Sequence, residues 1–68
     1  MVIAILSLRP DQNIPRPFSR ASSIDELREL LLPYVGVDVA VNKIDTEEPL
    51  GSAVLYGQRV KFFAFTER

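Results

Sequence analysis

The chain has 68 residues, a hydrophobic fraction of 47% and a net charge of −1. That length predicts one domain over residues 1–68, which buries only about 60% of its unfolded surface. Without cysteine or histidine, disulfides, thiolate chemistry, the usual zinc sites and Ser–His or Cys–His dyads are excluded, and the charge balance gives no general attraction to nucleic acid or an anionic membrane.

Met1 to Leu8 is apolar. It lacks the basic n-region and small-residue cleavage site of a signal peptide and is far shorter than the roughly 20 residues of a membrane helix. With the lack of cysteine, which fits a reducing compartment, this predicts a cytoplasmic protein with no membrane contact. Val2–Leu8 is a nearly continuous apolar run rich in β-branched residues, expected in the middle of a sheet with both faces covered. Arg9 to Asn13 carries turn residues that end it. Ile14–Ala21 contains Pro15 and Pro17, which cannot donate to a ladder, so it reads as an edge strand or an extended loop.

Ser23-Ile24-Asp25-Glu26 has the form of a capping box, with Ser23 as the cap and Glu26 reaching back to it. Ile24, Leu27, Leu30 and Leu31 recur at helical spacing on one face. Pro33 limits this helix to about ten residues ending at Leu32, and Gly36 supplies a left-handed exit. Val37–Ile44 alternates apolar and polar residues, which predicts a half-buried strand. Asp45-Thr46-Glu47-Glu48 opens an acidic loop. Ala53-Val54-Leu55 reads as a short strand or one helical turn. A turn at Gly57-Gln58 then leads into a final strand from Val60 to Thr66. Three of the four phenylalanines sit in this last segment, and it is expected beside Val2–Leu8 at the centre of the sheet. With one helix on one face the class is α+β.

The element order is that of a β-grasp, which implies a mixed sheet of four or five strands. Val39-Ala40-Val41-Asn42, followed by Leu55-Tyr56-Gly57-Gln58-Arg59-Val60-Lys61-Phe62-Phe63, resembles the small sulfur-carrier proteins of molybdopterin and thiamine biosynthesis. The likeness spans roughly residues 22 to 65. Those carriers end in Gly-Gly, which threads into an activating enzyme. This chain ends Phe65-Thr66-Glu67-Arg68, and Gln58 stands where the family has Asp. The resemblance therefore implies the fold and not the carrier chemistry.

No residue is assigned a catalytic, cofactor-binding or metal-binding role. Asp45, Glu47 and Glu48 lack the alternating spacing and turn glycine of a calcium loop and read as a solvated acidic loop. Thr66-Glu67-Arg68 reads as a frayed, solvated terminus, with a docking tail as the alternative. Arg9, Arg16 and Arg20 with Phe18 have the composition of a single-strand nucleic-acid platform, but the overall acidity argues against that partner. Phe63 and Phe65 are sent to one face of the last strand and Phe62 to the other. The candidate partner surface is Arg16, Phe18, Arg20, Tyr56, Phe62 and Arg68. The expected function is non-enzymatic binding of another protein through a sheet face or edge strand, with homodimerisation through an edge as one form of it. The alternatives are a sulfur-carrier-like partner of an activating enzyme or sulfurtransferase, and single-stranded nucleic-acid binding.

Overall fold

The two most apolar segments lie side by side, as burial of their side chains requires. In the computed structural model, which describes residues 1–35 and 39–67, the order is β1 (Val2–Leu8), β2 (Arg16–Ala21), α1 (Ile24–Val35), a 3₁₀ turn (Val41–Lys43), β3 (Gly51–Leu55) and β4 (Gln58–Glu67). The fold is α+β. The sheet holds four strands in the order β2-β1-β4-β3, and all three pairings are antiparallel. The expected mixed sheet is thus corrected: β4 enters from the β3 hairpin running opposite to β1. No described helix is long and apolar enough to cross a membrane.

Strand alternation sets the two faces. Ile3 and Ile5 of β1 and Val60, Phe62 and Ala64 of β4 are buried in one cluster with Leu27 and Leu31 of α1. This is the helix-covered face, and Phe62 is fully buried in it. Leu6 and Phe63 form a cross-strand pair on the other face, as do Ala4 and Phe65. Phe63 retains 9% exposure there, without contact to the main cluster.

The helix starts where its cap dictates. The Ser23 hydroxyl accepts the Glu26 N–H at 3.1 Å. The Glu26 carboxylate does not return to the Ser23 amide as expected but accepts the Ser22 hydroxyl at 2.6 Å. Replacing Ser23 with Ala should therefore cost about 1 kcal/mol, measured as a lowered urea midpoint with an unchanged m-value.

The helix does not stop before Pro33 but continues to Val35. Pro33 lies in the last turns on the exposed side, where losing one N–H to the Glu29 carbonyl leaves that oxygen within reach of water. Tertiary contact holds the extra turn: the Tyr34 ring lies 5.3 Å from Phe18 and 5.9 Å from Phe62. Gly36, with its expected left-handed exit, lies outside the described residues.

The expected strand over Val37–Ile44 does not form in its described part, Val37 and Asp38 being outside the described residues. Val41–Lys43 makes a 3₁₀ turn instead, with the Lys43 N–H on the Ala40 carbonyl and the Ile44 N–H on the Val41 carbonyl. Residues three apart share one side of such a turn. Val41 and Ile44 both pack against the core, and Val39 is buried. A period of two would have placed Val41 and Ile44 on opposite faces, whereas the turn brings both onto the core.

The loop that follows closes the edge of β4 beyond β3. The Asp45 N–H donates to the Ala64 carbonyl (2.8 Å) and the Leu50 N–H to the Phe62 carbonyl (2.7 Å). Asp45 adopts φ 64. Its carboxylate accepts both the Thr66 N–H and the Thr66 hydroxyl, each at 2.6 Å. Asp45 is therefore a clamp rather than a solvated loop residue, while the exposed Glu48 pairs with Lys43 at 3.6 Å. Thr66 and Glu67 are correspondingly strand residues and not a frayed end.

Candidate functional site

β3 and β4 meet in a two-residue hairpin. Leu55 pairs with Gln58, and Tyr56 and Gly57 have φ of 51° and 78°. Two left-handed residues define a type I′ turn, whose twist matches that of the strands. The turn is centred on Tyr56-Gly57, one residue earlier than the expected Gly57-Gln58. Glycine takes such a φ freely; for a tyrosine it is strained. Tyr56 is also 97% exposed, so burial does not compensate the strain.

The hairpin projects past its neighbour. β1 ends opposite Lys61, and the chain turns away at Arg9, whose carbonyl accepts the Gln12 N–H at 3.1 Å. Among the described residues no strand lies beside the inner edge of Gln58–Val60. A depression on the helix side of this overhang is lined by Arg9, Phe18, Tyr34, Leu55, Tyr56 and Val60, among others. Its aromatic wall is built by contact. The Phe18 ring stands edge-on to both Tyr34 (87° between planes) and Phe62 (5.1 Å between centroids, 70°). A β-bulge between the partners of Ile5 and Leu6 lets Phe18 reach this wall from the edge strand.

The sequence-predicted surface residues thus separate. Phe18 and Tyr56 come together in the cleft. Arg16 is exposed at the start of β2, paired with Ser7. Arg20 lies at the opposite end of β2, where it meets Glu67 at 2.7 Å. The hydrogen bond and then the charge of Glu67 raise the Arg20 pKa above its ordinary value. This bridge ties the ends of β2 and β4 across the intervening β1 and is exposed to salt screening. Phe62 is corrected from surface to core: the helix covers its face of β4, and it supports the cleft from beneath through Phe18 and Tyr34. Arg68 lies outside the described residues.

Sequence reading missed Tyr34 and Arg9 as cleft residues. Tyr34 follows Pro33, where the helix is expected to have ended already. In the sequence Arg9 belongs to a linear basic run, and the fold instead sets it against the β3–β4 hairpin. Replacing Tyr56 with Asn, which tolerates the left-handed region, should stabilise the chain by about 1 kcal/mol, read as a raised urea midpoint. An unchanged midpoint would show that Tyr56 carries no strain.

Among the described residues no group of three or more Asp or Glu is placed to hold a metal ion. Comparison with protein-family models, with curated proteins and with solved structures gives no match.

Proposed function

We propose that this chain is a small protein-binding module, cytoplasmic and without catalysis of its own, that engages its partner at the hairpin end of the sheet. The observation that carries this reading is Tyr56: a fully exposed aromatic held in a strained conformation at the mouth of an aromatic cleft. Stability alone favours Asn or Gly at that position. Aromatic residues are enriched where proteins meet, and backbone strain of this kind concentrates at functional sites.

A grasp-type topology and a sulfur-carrier-like role are the alternative reading. The hairpin, helix, hairpin order supports it. The antiparallel β1–β4 pair and the 3₁₀ turn within the Val39–Asn42 motif depart from the mixed sheet and the strand that it implies, so the binding-module reading is preferred.

The test is affinity capture from the native lysate with wild-type chain and with Tyr56→Gly, which keeps the turn. A specific partner retained by the wild type and lost by the variant supports the proposal. Identical captures with both chains would overturn it.

A further inference from the structure

Charge is separated along the sheet although the net charge is only −1. At the far end lies Asp45, with Asp25 and Glu26 in the first turn of α1, and Glu67 there is neutralised by Arg20. At the hairpin end a second depression, on the face away from the helix, is lined by Leu8, Arg9, Pro10, Gln12, Arg59 and Lys61. Arg9, Arg59 and Lys61 make no ion pair among the described residues. Arg59 donates to the Ser52 hydroxyl at 3.4 Å, and Asp11 in the adjoining turn offsets part of this charge.

The two depressions share Arg9 and flank the same feature, the inner edge of β4 at Gln58–Val60 where β1 has ended. An extended segment laid along that edge continues the line of β1. Its side chains then alternate between the two faces of the sheet. One set falls toward Arg9, Arg59 and Lys61, the other toward Phe18, Tyr34 and Val60.

Resting on the binding-module reading, we propose that the occupant is an extended acidic segment of a partner protein, with carboxylates alternating with apolar residues, added as a short strand beside Gln58–Val60. Charge complementarity selects this chemistry. A nucleic-acid strand needs cations in succession along its backbone. Here the positive zone is short: β3 and the Tyr56-Gly57-Gln58 tip carry no charge. A short acidic segment needs no longer zone than this. Main-chain pairing would supply affinity and the alternating side chains selectivity.

The probe is a short fluorescein-labelled peptide of alternating Glu and Leu, with a Gln/Leu peptide of equal length and a short oligothymidylate as comparisons. Fluorescence anisotropy with the full chain should show the Glu/Leu peptide binding tightest, weakening about tenfold at roughly 0.5 M salt, where exposed charges are screened. The exposed double variant Arg59→Glu/Lys61→Glu should weaken it by about tenfold or more, with an unchanged circular dichroism spectrum. Arg28→Glu, on the helix, should leave it unchanged. Amide shifts in the NMR spectrum should centre on Gln58–Val60.

Equal binding of the Gln/Leu peptide, tighter binding of oligothymidylate, or indifference to Arg59→Glu/Lys61→Glu overturns the acidic-segment proposal. If Tyr56-dependent capture from lysate persists in that event, the binding-module reading stands without it. If that capture fails too, both fall.

Discussion

Phe62→Ala should lose about 3–5 kcal/mol of stability, the range for emptying a fully buried phenylalanine site. The ring has no exposure and touches two further rings, Phe18 and Tyr34. Removing it opens a cavity where helix, edge strand and central strand meet. A domain this small sits near the low end of the usual stability range of about 5–15 kcal/mol, so the variant should keep at most about 2 kcal/mol and show a markedly lowered urea midpoint. Phe62→Leu, which keeps most of the volume, should cost about 1.5 kcal/mol or less. The check is urea denaturation followed by circular dichroism. Phe63→Ala is the internal comparison. Phe63 lies on the opposite face, outside the main cluster, and its loss should be smaller than that of Phe62. The reverse ranking would mean that the core lies on the other side of the sheet.

Asp45→Ala should cost about 2 kcal/mol, although the residue sits in an exposed loop. Its carboxylate holds the Thr66 N–H and hydroxyl, and hydrogen bonds to a charged group contribute about 1.5–3 kcal/mol. Alanine also tolerates the left-handed backbone less well than aspartate does. Asp45→Asn keeps that tolerance and one acceptor and should lose about half as much. Thr66→Val removes the hydroxyl bond and leaves the amide bond, so a double-mutant cycle with Asp45→Asn separates the two. Hydrogen exchange provides a local readout: the Thr66 amide should exchange faster in Asp45→Ala while amides of β1 change little. An unaltered Thr66 rate would show that the loop does not close this edge.

These predictions bear on the binding proposal, because Phe62 and Asp45 act at different places. Phe62 supports the cleft wall from below. Asp45 secures the end of β4 remote from the hairpin. At temperatures where both variants remain folded, Phe62→Leu should disturb peptide binding at the hairpin end more than Asp45→Asn does.

Local chemistry alone determined a good part of this protein. The apolar Val2–Leu8 and Phe-rich Val60–Thr66 segments must be buried, and their β-branched and aromatic residues favour the extended backbone over a helix. Ser23 starts a helix because its hydroxyl serves an amide that the helix itself leaves open. Gly57 marks a hairpin because it takes a positive φ without strain. The central pairing of the two apolar strands, with one leucine-lined helix laid on them, followed from those facts. Tertiary structure decided the rest. Which face of β4 the helix covers is not written in alternation, which is symmetric, and it placed Phe62 rather than Phe63 in the core. Contacts of Tyr34 with Phe18 and Phe62 carried the helix past Pro33, against its local preference. Val41 and Ile44 found burial on one side of a 3₁₀ turn, with Val39 buried just before it, because tertiary contact with the core outweighed the local alternation. The cleft joins Arg9, Phe18, Tyr34 and Tyr56, distant in the chain, and became visible only once β1 was seen to end before the hairpin does.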